Sequence, residues 1–163
     1  MRRWLLPATA VLIGIALGIG AFTFVYAKGA SYMTNDPAAC ANCHVMGEHY
    51  AAWMKSSHHT VAVCNDCHAP HDLVGKYATK ARNGFWHSFY FTTGDYPYPL
   101  RITERNHEVT EHACRYCHER VTETVDHGTA AAAAAGVRSV GDAGEQEPIT
   151  CTRCHRYVGH LVR

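Results

Sequence analysis

The chain is poor in the aliphatic residues that usually fill a protein interior. After Lys28 it contains only five leucines and isoleucines, which are Leu73, Leu100, Ile102, Ile149 and Leu161. A segment of this length would ordinarily need a larger hydrophobic core to offset the conformational entropy lost on folding. The scarcity indicates that something other than side chains fills the interior.

A strong net charge is also absent. The chain has 15 lysines and arginines against 14 aspartates and glutamates, which gives a formal net charge of +1. This near balance provides no global field of the kind that attracts nucleic acid or a highly charged substrate. We therefore predict no nucleic-acid partner.

Charged residues are missing altogether from residues 4–27. As a helix this run would be about 36 Å long, which exceeds the roughly 30 Å hydrocarbon core of a bilayer. Arg2 and Arg3 precede the run and only Lys28 follows it directly, a bias that favours a cytoplasmic N-terminus. We predict that residues 1–28 form a cytoplasmic start and transmembrane anchor, and that residues 29–163 form a domain on the outer (periplasmic) side of a bacterial cytoplasmic membrane.

A cleaved signal peptide is the alternative for this segment, because residues 25–27 resemble a small-residue cleavage site. The apolar region of a signal peptide is usually about 7–15 residues long, which is shorter than this run. The retained anchor is therefore favoured. Both interpretations place the rest of the chain outside the cytoplasm.

All eight cysteines belong to one pattern, C-x-x-C-H, which occurs four times. The copies are Cys40, Cys43 and His44; Cys64, Cys67 and His68; Cys114, Cys117 and His118; and Cys151, Cys154 and His155. In c-type cytochromes the two thiols of such a motif attach one haem, and the adjoining imidazole binds its iron. The pattern predicts four covalently bound haem c groups.

Three other kinds of site use paired cysteines, namely zinc ribbons, redox-active C-x-x-C motifs and disulfide frameworks. None of them requires a histidine after every pair. Haems would also supply the missing core. We therefore predict a mainly α fold with much irregular structure: one N-terminal transmembrane helix and a compact multihaem domain whose core is the haems.

Second iron ligands can come from nine histidines outside the motifs: His49, His58, His59, His71, His87, His107, His112, His127 and His160. His160 follows His155 by five residues and cannot easily reach the far face of the same haem, so we expect it to bind a neighbouring one. His59, or its neighbour His58, invites the same argument before the second motif. Met46 competes with His44 for one haem face, and the residues alone favour a packing role for Met46.

The stretch from Leu73 to Phe91 is predicted to be a helix. It carries Lys76, Lys80 and Arg82, followed by a cluster of aromatic residues. Basic residues beside aromatics suit a helix at a membrane surface, although the rings could equally pack on haem faces. Residues 95–103 are predicted to be an extended loop, and residues 129–148 an exposed connector.

With these motifs the chain resembles the NapC/NirT/NrfH family of membrane-anchored tetrahaem quinol dehydrogenases, and within it the small subunits of cytochrome c nitrite reductases. The resemblance covers nearly the whole chain. It is carried by the N-terminal anchor and by Cys40–Met46 (CANCHVM), His59, Cys64–His71 (CNDCHAPH), residues 80–94 and Cys151–His160 (CTRCHRYVGH).

The resemblance implies a set of iron ligands. Met46 matches an axial ligand of the first haem, with His44 turned away, and His59 and His160 match distal ligands of two others. The remaining haem, which we expect to be the second, would take a lysine from a catalytic partner subunit. Three histidines match proximal ligands: His68, His118 and His155.

The resemblance also implies a function. Lys80 matches a lysine beside a menaquinol site, whereas His87 stands where the family member compared has an aspartate. His87 could accept a quinol proton or bind the first iron directly. Menaquinol from the membrane pool would be the electron donor and a pentahaem nitrite reductase subunit the acceptor, in a hetero-oligomer. Alternatives are a quinol dehydrogenase that feeds nitrate or another terminal reductase, and a membrane-anchored shuttle without its own quinol site.

Overall fold

The computed structural model describes residues 2–125 and 150–160. Within them the regular structure is helical, with no strand, which confirms the predicted mainly α fold. The predicted connector at residues 129–148 lies outside the described residues, and the division at residue 28 stays a prediction. The helices are α1 Arg2–Tyr26, α2 Pro37–Cys40, α3 Gly47–Trp53, α4 Cys64–His68, α5 Leu73–Thr93 and α6 Glu104–Cys117, with 3₁₀ turns at Gly29–Met33 and His44–Met46 and a helical turn at Cys151–Cys154.

Helix α1 is the one described helix that is long and apolar enough to cross a membrane. Its segment Trp4–Tyr26 has a mean hydropathy of 2.2, and none of it is buried against the rest of the chain. Pro7 lies early in the helix, where a missing backbone N–H does little harm. The predicted anchor is therefore present as a candidate membrane span.

A tight turn joins α1 to the remainder of the chain. Lys28 adopts a left-handed conformation with φ 52°, and the turn Gly29–Met33 follows directly. A Cβ at position 29 would collide with the ring of Phe24. Glycine at this position therefore lets the chain fold back closely against the last turns of α1.

Helix α5 begins and ends at recognisable caps. The Asp72 carboxylate accepts a hydrogen bond from the Gly75 N–H at 2.7 Å, which satisfies a backbone donor that the first turn leaves free. The helix ends before Gly94, whose φ of 75° requires no side chain. The predicted helix is confirmed, two residues longer than expected, and residues 95–103 contain neither helix nor strand.

Side chains form almost no core in the described part of the chain. Its only buried residues are Ala39, Ala69, Ala113 and Thr79. Each alanine adjoins a cysteine motif: one precedes Cys40, one follows His68 and one precedes Cys114. The prediction that side chains do not fill the interior is confirmed, and the closest packing is concentrated at the motifs.

Candidate functional site

The second, third and fourth motifs place both cysteines on one helical turn. Cys64 and Cys67 belong to α4, and the third pair occupies the last turn of α6. Residues three apart lie on the same face of a helix, so both thiols can approach one ligand from the same side. In α4 the Val63 N–H donates to the Asp66 carboxylate at 2.9 Å, which fixes the start of the turn.

Glu111 attaches the fourth motif to the third. Its carboxylate accepts hydrogen bonds from the backbone N–H groups of Cys151 and Thr152, at 2.7 and 3.0 Å, and from the Thr152 hydroxyl at 2.8 Å. Burial alone would raise the pKa of Glu111, but these hydrogen bonds outweigh it and lower the pKa. The imidazole of His107 also lies 2.8 Å from the Thr152 hydroxyl. No sequence signal pointed to Glu111, because its backbone partners are 40 and 41 residues away along the chain.

Neighbouring motifs touch one another in chain order. The thiols of Cys40 and Cys64 lie close enough to influence each other's pKa, as do those of Cys114 and Cys151. Helix α4, which carries the second motif, packs on α6, which carries the third. The four motifs therefore form a continuous series from the anchored end of the domain to the described C-terminal segment.

Two pairs of imidazoles stand at the separation that iron ligation requires. The ring centroids of His68 and His160 are 6.0 Å apart with planes 9° from parallel, and those of His58 and His118 are 6.1 Å apart. Imidazoles that bind one metal from opposite sides have centroids about 6 Å apart, because each metal–nitrogen bond is about 2 Å and the ring centre lies about 1 Å behind the nitrogen. Both centroid separations are therefore compatible with two imidazoles that bind one iron from opposite sides.

The environment of the first pair keeps its imidazoles neutral. His68 faces a cleft, the motif cleft, lined among others by Cys40, Met46, Cys64, Cys67 and His160. The surrounding protein lowers the pKa of His68 to about 4, and burial also lowers the pKa of His160. Neutral imidazole is the form that binds a metal. The His160 Nδ1 atom is buried without a hydrogen-bond partner, as is Nδ1 of the adjacent His49.

Met46 and His44 face different spaces, although both lie on one 3₁₀ turn. Met46 lines the motif cleft together with Cys40 of the first motif. His44 lines a second space, the membrane-end cavity described below. Met46 and His44 thus face different spaces, and the choice between a ligand role and a packing role for Met46 stays a prediction.

The structure separates His58 from His59. His58 pairs with His118, while His59 packs edge to face on Trp53 with centroids 5.1 Å apart. The geometry therefore favours His58, which the sequence left as the second choice. His160 similarly lies near His68, and the lysine that a partner subunit would supply to the second haem stays a prediction. His155 is exposed and has no ring contact within the described residues.

These features fit covalently bound haem c better than a disulfide framework or a zinc ribbon. The eight thiols are free, so they form no disulfide framework. No group of three or more metal-binding side chains comes together in residues 2–125 and 150–160, which argues against a zinc ribbon. The free thiol pairs, the two spaced imidazole pairs and the nearly empty core suit a large apolar cofactor that is ligated from both sides.

Lys80 and His87 lie on the same side of α5, about 10 Å apart along its axis, since seven residues are close to two helical turns. Lys80 Nζ donates to the Thr34 carbonyl at 2.6 Å and lies close enough to Cys40 to influence its pKa. The imidazole of His87 contacts the Phe91 ring, with centroids 6.4 Å apart. Desolvation by the surrounding protein lowers the pKa of both groups.

The membrane-end cavity has a volume of about 440 Å³. The last residues of α1 and Lys28 form one wall, and Phe91 and Tyr96 form another. Cys43 and His44 of the first motif complete it. Neither Lys80 nor His87 lines this cavity, but His87 contacts its wall at Phe91. The first motif, the cavity and the end of the anchor thus meet at one place.

The chain is similar to known cytochromes over nearly its whole length. The pattern of the NapC/NirT cytochrome c family, N-terminal region, matches residues 2–163. The cytochrome c-type protein NrfH of Wolinella succinogenes is 35% identical over 97% of this chain and 87% of its own, and the cytochrome c nitrite reductase subunit NrfH of Nitratidesulfovibrio vulgaris is 32% identical over 93% and 82%. The crystal structure of a cytochrome c nitrite reductase NrfHA complex bound to the HQNO inhibitor matches with a TM-score of 0.58 and 28% identity, covering 96% of this chain and 90% of that one.

Proposed function

We infer the function from one premise: this chain belongs to the NapC/NirT cytochrome c family. We propose that it is the membrane-anchored electron-transfer subunit of a cytochrome c nitrite reductase. It would oxidise menaquinol at the outer surface of the membrane and pass the electrons to a catalytic subunit. The relatives named as nitrite reductase subunits, which are matched over nearly their whole length, support this proposal.

Four haem c groups, when bound, accept and release one electron at a time. We propose that the eight motif cysteines hold them as thioethers. Met46 would bind the first iron. His68 with His160 would bind the second, and His118 with His58 the third, as the ring separations support. His155 would bind the fourth.

An iron face open to a ligand from another subunit would therefore lie at the fourth motif rather than the second. His155 is exposed, and so are the neighbouring Arg156 and Tyr157. His127, which lies outside the described residues, could close the face instead. The exposure supports contact with the catalytic partner at this end of the motif series, far along the chain from the anchor.

Quinol oxidation requires two protons to leave as the electrons do. We propose that the quinol head group reaches the first motif through the membrane-end cavity, whose walls include the end of α1. Lys80 would orient a quinol oxygen beside Cys40. His87 has a lowered pKa and is therefore neutral near pH 7, so its imidazole can accept a proton. The protons would leave on the outer side, because Arg2 and Arg3 favour a cytoplasmic N-terminus.

The observation that carries the proposal is the meeting of a 440 Å³ cavity, the first cysteine motif and the end of the membrane helix. Reduction of the haems by a menaquinol analogue, followed optically in membranes, tests it. We expect rapid reduction of the native chain and much slower reduction of Lys80→Ala and His87→Ala. All three should reduce fully with dithionite, which shows that their haems are intact.

Lys55→Ala and His112→Ala are matched controls, since each removes an exposed side chain of the same type from another part of the described chain. Both should keep the native rate. If the site variants reduce as fast as the controls, the quinol site is not at Lys80 and His87. If even the native chain does not react with quinol, the chain is a shuttle supplied by another protein. A native chain that reduces nitrate reductase but not nitrite reductase would assign it to another terminal enzyme.

A further inference from the structure

Helix α5 carries an exposed aromatic patch, which consists of Phe85, Trp86, Phe89 and Tyr90. Their exposed fractions are 64, 38, 47 and 38%. The rings pack on one another: Phe85 and Trp86 have centroids 5.2 Å apart, and Trp86 and Tyr90 have centroids 5.5 Å apart. Single exposed hydrophobic residues are common on protein surfaces, but four adjacent exposed aromatic residues form a contiguous apolar patch, which usually marks an interaction site.

The haem sites do not account for this patch. None of its four residues lines the motif cleft or the membrane-end cavity. Its ring contacts are with its own members rather than with motif histidines. Within the described residues these rings therefore pack on one another and leave an aromatic surface exposed.

The patch adjoins the cavity at the end of α1. Phe91, the residue after Tyr90, lines the membrane-end cavity together with Tyr26 and Lys28. Phe85 precedes Phe91 by six residues and is therefore at most about 9 Å from it along the helix axis. The apolar segment of α1 would be about 35 Å long, so its end reaches the headgroup region, which is roughly 5–8 Å thick on each side.

The charge of α5 suits an anionic surface. Between residues 73 and 94 the chain carries Lys76, Lys80 and Arg82 and no acidic residue. Lys28 adds another positive charge at the end of α1. Basic side chains next to Trp, Tyr and Phe form the combination that binds the interface of membranes containing anionic lipids.

We propose that the aromatic patch of α5 inserts into the interfacial region of the outer leaflet beside α1, with Lys76 and Arg82 against lipid headgroups. The domain would then touch the membrane at two places, the anchor and the patch. Two contacts fix its orientation, whereas a single helix would leave the domain free to tilt. This contact does not depend on which substrate or partner the chain uses.

Photolabelling by lipids tests the contact in the intact haem-loaded chain. The protein is reconstituted in phosphatidylcholine vesicles containing phosphatidylglycerol and a lipid with a diazirine near its headgroup, and labelled residues are located by mass spectrometry. We expect labels in α1 and in the patch. Tyr116 and Tyr157 are internal controls, because they are 67 and 62% exposed. Tyr116 lies within the third motif and Tyr157 just after the fourth. They should be labelled several-fold less than the patch.

A double variant, Phe85→Ser with Phe89→Ser, should reduce the labelling of Trp86 to the level of the controls while α1 stays labelled. The proposal is overturned if the native patch is labelled no more than Tyr116 and Tyr157. It is also overturned if labelling of the patch disappears when the catalytic partner is added, because the patch would then be a protein interface. The readout is independent of quinol oxidation, so it fails or succeeds separately from the proposed function.

Discussion

Helix α1 and the domain that follows it both expose apolar surface, but for different reasons. In α1, Leu12 and Phe22 are 67 and 70% exposed on a helix whose backbone hydrogen bonds are satisfied internally. Such a helix needs no further hydrogen-bond partners when lipid surrounds it. The domain has a motif cleft, a cavity and four buried residues in its described part. In this interpretation haem covers the apolar surface of the domain, whereas lipid covers that of α1. The loss of one haem attachment should therefore affect the domain and leave α1 unchanged.

The largest difference should follow from removing one haem attachment. In the variant Cys64→Ser with Cys67→Ser, we expect the haem content to fall by about one quarter, as measured by haem absorbance per chain. The domain should lose its resistance to protease added from the outer side, since the motif cleft loses its filling and few side chains remain to hold it. Helix α1 should stay integrated and resist extraction at alkaline pH.

Leu12→Ala is the matched control in the anchor. It removes apolar surface from a residue that touches only lipid, and we expect both haem content and protease resistance to stay native. If the double serine variant kept its protease resistance, the domain would have a core of side chains after all, and the comparison between the two regions would fail.

A smaller effect should distinguish the two adjacent histidines before the second motif. His58→Ala removes the imidazole 6.1 Å from His118, so we expect one haem per chain to change from low-spin to high-spin iron in the electron paramagnetic resonance spectrum. His59→Ala removes only an edge contact with Trp53 and should keep the native spectrum. The opposite result would assign the ligand to His59, as the family resemblance implied.

The smallest effect should come from Glu111 and should depend on pH. Its pKa is lowered in the folded chain, so its contribution to stability is present above the unfolded value of about 4.3 and is lost as the pH falls through the folded pKa. We expect Glu111→Gln to cost on the order of 1 kcal/mol at neutral pH and progressively less in acid. Thermal unfolding of the full chain in detergent measures this, with exposed Glu108→Gln as a control that shows no such trend.

The fold was predictable where local signals determine it. The uncharged run predicted α1, and the segment between Asp72 and Gly94 contains both the caps and the periodicity of α5. The lack of leucine and isoleucine correctly predicted a domain without a side-chain core. The short turns around the first motif could not be predicted, because packing against the anchor and against α5 determines them rather than local propensity.

In the candidate site, the residues of the covalent attachment motifs were predictable from the sequence. C-x-x-C-H identified every cysteine and each adjoining histidine from spacing alone. The pairing of imidazoles could not be predicted in this way. His68 and His160 are 92 positions apart in the sequence, and only the fold brings them together. The role of Glu111 could not be predicted for the same reason. The sequence also could not decide between His58 and His59 as the ligand, because the two histidines are adjacent.

Helix α1 forms one wall of the membrane-end cavity, and this affects how tightly the cavity needs to bind a lipid-soluble ligand. Because Tyr26, Ala27 and Lys28 belong both to the anchor and to the cavity, the opening cannot move away from the bilayer. A lipid-soluble ligand therefore meets the cavity at its effective concentration within the membrane and never crosses water as a free solute. Under the proposed function, weak binding of quinol would then be enough for high occupancy, and the weakly held product would leave quickly.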